Sequence, residues 1–172
     1  IPTSDFHGSE YVGDYFKCRE YISGFTGSAG TLVVTLDEAG LWTDGRYFLQ
    51  AAKQLEGSGI MLRKERQPGV PAIEEYLKQT LKKGETLGFD GRCIMQDSAE
   101  KLITQLNAQG VAVRTDIDLT GAVWKNRPEL SAQPVWPLPV EYAGESSESK
   151  IKRVREFLVE KKADYFLLTS LE

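Results

Sequence analysis

The chain has 172 residues, of which 41% are hydrophobic and 27% charged, with a net charge of −4. That length suffices for one well-cored domain plus a piece of a second, and the acidic balance gives no basic footprint for nucleic acid. No apolar run approaches the ~20 residues needed to cross a bilayer, and the opening IPTSDFHGSE has neither the basic nor the apolar region of a secretory signal. Neither nucleic acid nor membrane is therefore expected as a partner. Cys18 and Cys93 are two in number and far apart, which allows a lone disulfide but reads better as two buried free thiols in a reducing, cytoplasmic compartment. The single histidine, His7, excludes a multi-histidine zinc site within the chain and leaves one candidate base for a serine or cysteine triad.

In chain order, residues 31–36 (TLVVTL) are rich in β-branched side chains and end in the turn-like Asp37-Glu38-Ala39-Gly40. Leu41 and Trp42 begin a second strand, so a hairpin is expected. Asp44 can cap a helix starting near Arg46, with Phe48, Ala51, Ala52 and Leu55 at helical spacing, and Gly57 and Gly59 stop it. Residues 60–62 read as a strand. Pro71 suits a first helical turn, and Ile73, Tyr76, Leu77 and Leu81 form the apolar stripe of a helix ending near Lys83-Gly84. A strand over 86–89, a helix from a Ser98 cap to Gly110 and a strand over 111–114 follow. This alternation predicts an α/β fold with a mixed sheet flanked by helices.

After Asn126 the character changes. Pro128, Pro134, Pro137 and Pro139 restrict the backbone and remove donors, so 127–145 reads as an extended linker. Ser146–Ser149 caps a helix carrying Ile151, Val154, Phe157 and Leu158 on one face, and Tyr165–Leu168 reads as a compact buried strand. One helix and one strand cannot close a core. The expected organisation is a first domain over 1–126, the linker, and over 146–172 the start of a second, similar α/β domain. Leu167-Leu168-Thr169-Ser170 faintly echoes Ile1-Pro2-Thr3-Ser4, so the first domain is expected to lack an initial helix and strand, with truncation at both ends. A bolder expectation places 149–168 in that vacated position, in the same molecule or a neighbouring copy.

The glycines at 24, 27 and 30 match neither the dinucleotide fingerprint nor the P-loop, and a strand rather than a helix follows them. The segment reads as a tight turn, or as a loop presenting Phe25, Thr26 and Ser28. Ser28 lacks the nucleophile-elbow pattern, so its hydroxyl is expected to bond the loop backbone. Asp5, His7, Glu10 and Asp14 could hold one ion or form a solvated, hydrogen-bonded loop. Arg46 in Asp44-Gly45-Arg46-Tyr47 could pair with a neighbouring carboxylate or reach one across an interface. Asp90-Gly91-Arg92 repeats the tripeptide and reads as a turn.

SDFHGSEY (4–11), SGFTGSAG (23–30) and LWTDGRYFLQA (41–51) together resemble the N-terminal domain of three-domain Xaa-Pro aminopeptidases, in the creatinase and prolidase superfamily of metallopeptidases. The resemblance covers nearly the whole chain. It implies a parent enzyme in which two divalent ions, manganese or zinc, activate water against the bond preceding proline. The resemblance places their ligands in a C-terminal domain outside this chain, so it carries no catalytic, cofactor or metal residue onto any position here. It further implies a non-catalytic role in oligomerisation and in gating the active site for short proline-containing peptides. The candidate interface or gating residues are Phe25, Thr26, Ser28 and Arg46, and the expected partners are the rest of the polypeptide and further copies of it. Two other readings stand beside this one: an independent protein-interaction module, and a small-molecule-binding domain built on the Gly24–Gly30 loop.

Overall fold

The computed structural model describes residues 1–168. The chain divides into two compact units, Ile1–Ser131 and Ala132–Glu172. Within the first, a 3-10 turn at Asp14–Phe16 leads into helix α1 (Cys18–Ser23), the hairpin strands β1 (Thr31–Val34) and β2 (Ala39–Thr43), helix α2 (Phe48–Gln54) and strand β3 (Ile60–Lys64). Helix α3 (Ile73–Thr80), strand β4 (Thr86–Gly88), a 3-10 turn at Gly91–Cys93, helix α4 (Gln96–Asn107), strand β5 (Ala112–Arg114) and helix α5 (Leu119–Val123) complete it.

The expected hairpin is present, with Thr31 opposite Trp42 and Val34 opposite Ala39. β3 lies parallel to β2 on its other side, so this sheet is mixed, while β4 and β5 form a separate parallel pair. The segment before β1 also takes part. Pro2 bridges to Thr31 antiparallel, and the Thr3 amide donates to the Gly30 carbonyl at 3.0 Å.

Two clusters fill the interior, each from alternate faces of the central strand. Phe25, Leu32, Leu41, Ala51 and Leu55 form one. Trp42, Tyr76, Leu77, Leu106 and Val111 form the other. Leu41 and Trp42 are adjacent and point to opposite faces, so β2 is the partition between the two. Full burial of such side chains contributes roughly 1.5–3 kcal/mol each, and the Trp42 indole also donates to the Pro71 carbonyl at 2.9 Å.

Several local expectations are corrected. Asp44 does not cap α2. Tyr47 occupies that position without a side-chain cap bond, and Asp44 Oδ1 instead accepts from the Arg46 amide two residues on, the Asx turn that competes with capping. α4 begins two residues before Ser98, at Gln96. α3 ends at Thr80 rather than near Lys83-Gly84, because Leu81 already has extended dihedrals.

Within the second unit, helix α6 (Val140–Ala143) precedes helix α7 (Ser147–Lys161). Ser146 caps α7 as expected, accepting from the Ser149 amide. Tyr165–Leu168 is not a strand, and its side chains are exposed. A β-prone run forms a strand only where a neighbour supplies ladder partners, and none of the described strands pairs with it. Within this chain, 149–168 therefore supplies no replacement strand. Thr169 and Ser170 of the terminal echo lie outside the described residues.

Candidate functional site

The loop between α1 and β1 gathers most of the residues singled out by the sequence. α1 ends at Gly24, whose φ of 70° is left-handed and accessible to glycine without a Cβ penalty. Phe25 then turns inward and is fully buried, its ring meeting Tyr47 edge-on at 5.8 Å. Phe25 is thus core rather than a presented side chain, a correction that follows from the apolar cluster beneath the loop. Gly27 is required by that packing, since a Cβ there would lie 2.3 Å from the Phe25 ring and 2.7 Å from Tyr47.

Thr26 is the exposed crest. Its amide donates to Gln54 Oε1 at 3.1 Å, and its hydroxyl accepts from Gln50 Nε2 at 3.0 Å and Gln54 Nε2 at 2.9 Å. Gln50 and Gln54 are four apart on α2, so one helix face holds both. Ser28 is half-buried, and its hydroxyl lies 2.7 Å from the Tyr47 hydroxyl. It bonds a side chain at the start of α2 rather than its own loop backbone. At the base, the Thr43 hydroxyl donates to the Ala29 carbonyl at 2.7 Å. Beneath the loop lies Arg19, 4% exposed, which sequence reasoning did not single out. The one available signal was its i, i+4 relation to Ser23, whose hydroxyl donates back to the Arg19 carbonyl at 2.7 Å.

A cleft of about 200 Å³ opens beside the loop, lined in part by Tyr11, Phe16, Arg19, Thr26, Gly27 and Ser28. The Thr26 and Ser28 hydroxyls beside it are already engaged within the protein.

Arg46 sits at the neighbouring corner, forked onto Asp44: Nε to Oδ1 at 3.0 Å and Nη2 to Oδ2 at 2.8 Å. The hydrogen bonds from Arg46 hold the Asp44 carboxyl below its ordinary pKa. The guanidinium side chain is 61% exposed, so it is both oriented and reachable. Of the four candidate residues, the fold therefore brings Thr26, Ser28 and Arg46 to one rim around α2 and withdraws Phe25 into the core.

The Asp5–Asp14 segment is a locally bonded turn. Asp5 Oδ1 accepts from the His7 amide at 2.8 Å and the Ser9 amide at 3.0 Å. Among the described residues no group of three or more His, Cys, Asp or Glu side chains is arranged to hold a metal ion. Cys18 and Cys93 are free thiols, and burial pushes the Cys93 thiol up to about 11, so neither the pairing nor the pKa of a reactive cysteine is present. No helix is long and apolar enough to cross a membrane among the described residues.

Comparison with known proteins agrees with this architecture. Residues 17–128 match the family model of the creatinase/prolidase N-terminal domain, and residues 126–172 match a second model of the same description. The chain is 39% identical over its whole length to a probable Xaa-Pro aminopeptidase P of Pyricularia oryzae and 38% identical to the Xaa-Pro aminopeptidase app-1 of Caenorhabditis elegans, covering 28% of each. It therefore spans little more than a quarter of the length of these relatives. The crystal structure of the X-prolyl aminopeptidase of Caenorhabditis elegans, described as a cytosolic enzyme with a di-nuclear active site, superposes on 95% of the chain with a TM-score of 0.79 at 38% identity, using 27% of its own length. By fold, family match and full-length similarity, the chain belongs to the creatinase/prolidase N-terminal domain family.

Proposed function

We propose that this chain serves a cytoplasmic Xaa-Pro aminopeptidase as a non-catalytic portion that assembles copies and gates the active site. The parent would hydrolyse the bond between an N-terminal residue and proline in short peptides, using two divalent ions held by residues outside this chain. The division into a domain over 1–126, a connector over 127–145 and a further domain from 146 belongs to the same proposal. It draws support from similarity to Xaa-Pro aminopeptidases of more than three times this length.

The gating reading rests on one observation: an exposed residue, Thr26, held by two hydrogen bonds to its hydroxyl and one from its backbone amide at the crest of a glycine-shaped loop. Exposed loop tips ordinarily move, and immobilising one in advance lowers the ordering cost of whatever it contacts. Arg46, oriented by Asp44 a short way along the same rim, adds a planar donor suited to a carboxylate or carbonyl of that contact.

Two experiments test this. In the full-length polypeptide, Thr26→Trp adds bulk at the crest without touching the core. It should raise KM for Xaa-Pro peptides of four or more residues by about tenfold, roughly 1.4 kcal/mol, while leaving the unfolding midpoint unchanged. Unchanged KM together with unchanged oligomeric mass would sink the gating role. The isolated chain should show no turnover of an Xaa-Pro peptide with added manganese, and measurable turnover would overturn the non-catalytic assignment.

A further inference from the structure

Arg19 is buried to 4% exposure yet forms no ion pair among the described residues. Its Nη2 donates to the Phe25 carbonyl at 3.4 Å and, closer still, to the Gly27 carbonyl. Its guanidinium carbon stands 4.7 Å from the centre of the Phe25 ring. Nε and Nη1 are buried with no hydrogen-bond partner among the described residues. Gly30 is shaped around the same group, since a Cβ there would lie 2.9 Å from Arg19 Nη1.

A buried cation without a carboxylate costs several kcal/mol in desolvation, and burial lowers the guanidinium pKa from its ordinary value. A side chain kept only for fold stability would be better served here by an apolar residue of similar volume. What Arg19 supplies that such a residue cannot is a pair of directed donors. The carbonyls of Phe25 and Gly27 both turn inward to them, and Thr26 stands between those two residues.

We infer that Arg19 is a positioning residue for the gate: its guanidinium draws the Phe25 and Gly27 carbonyls inward and so holds Thr26 outward at the crest. This rests on the gating reading only for its functional consequence. The positioning itself is a property of the loop.

The test uses the full-length polypeptide and Arg19→Met, which keeps the apolar volume and removes both charge and donors. Hydrogen exchange of a peptide covering Gly24–Gly30 should quicken about tenfold in the native protein, with the global unfolding midpoint unchanged or raised. Arg19→Lys keeps the charge but loses the fork and should fall between. If Arg19→Met fails to fold, Arg19→Lys carries the measurement, with quickened exchange still confined to that loop. Loop exchange equal to the unsubstituted protein overturns the inference, as does a uniform rise in exchange across the whole first unit. If loop exchange quickens while KM for long peptides stays constant, Arg19 positions the loop and the gating reading fails. If both change with kcat retained, both stand.

Discussion

The tripeptide Asp-Gly-Arg occurs twice in this chain and makes the same corner each time. At 44–46 and at 90–92 the arginine amide donates to its aspartate Oδ1, and the guanidinium forks onto the two carboxylate oxygens at 2.8–3.0 Å. The surroundings differ. Arg46 leans on Tyr47 and leads into α2 at an exposed rim. Arg92 sits 4.8 Å from the Phe6 ring and 3.8 Å from Asp118. Asp118 in turn holds Arg127 Nη1 at 2.5 Å, and Arg127 lies over the Tyr15 ring while its Nε donates to the Tyr15 carbonyl. One corner is a local turn with a reachable cation. The other is the outer end of a clasp that ties residue 127 to residue 15. Local sequence sets the hydrogen-bond pattern of a turn, and long-range partners decide whether the turn is structural.

The largest expected effect comes from cutting the clasp behind the second corner. Arg127 has a side chain only 10% exposed and paired with Asp118, and truncating one member of such a pair leaves the other uncompensated. Arg127→Ala should reduce the unfolding free energy of the first unit by about 3 kcal/mol, read by urea denaturation. Arg46→Ala should leave it nearly unchanged, as for exposed pairs. Equal shifts would erase the distinction.

The glycines sharpen the same contrast with smaller numbers. A Cβ on Gly91 would meet the Thr115 carbonyl oxygen at 2.9 Å and the Thr115 Cβ at 3.0 Å. A Cβ on Gly45 finds nothing nearer than Phe48 at 3.9 Å. Neither glycine has a left-handed φ, so strain plays no part. Gly91→Ala should cost about 1–3 kcal/mol by overpacking against backbone, whereas Gly45→Ala should be neutral or slightly stabilising through the unfolded state.

How much of this was legible in the sequence depends on the range of the forces involved. The hairpin, α2, α4 and α7 follow from apolar period and turn chemistry, which act over a few residues. That the 24–30 segment is a shaped turn was legible because its glycine spacing marks one. Phe25 was misplaced because a glycine-dense loop says nothing about which of its side chains turns inward. Tyr165–Leu168 has strand propensity, but a strand also needs a partner. Arg19 escaped notice because its partners are backbone carbonyls 6 to 8 residues away, and Arg127 because its pairing with Asp118 acquires its role only through the Tyr15 carbonyl, 112 residues away. Carbonyls carry no sequence signal.

The smallest expected effect separates the corners by pH. Hydrogen bonds from the forked arginines lower the pKa of both Asp44 and Asp90, so each carboxylate stabilises the fold above its unfolded pKa of about 3.9. That contribution is lost as pH falls through the lower folded value, because protonation then removes the acceptor charge in the native state. The Asp90 side chain is 20% exposed and Asp44 34%, so solvent screens Asp44 more. Asp90→Asn should therefore flatten the decline in stability between about pH 5 and pH 2 more than Asp44→Asn does, measured as urea midpoints along that range. Asn keeps one carbonyl acceptor for the arginine amide, so the turn itself should survive in both variants, and each loses the same pair of features, the charge and the acceptor for Nη2. If Asp44→Asn flattened the curve more, the exposed corner would carry the greater share of the acid-labile stability, and the clasp at Arg92 would be the lesser of the two.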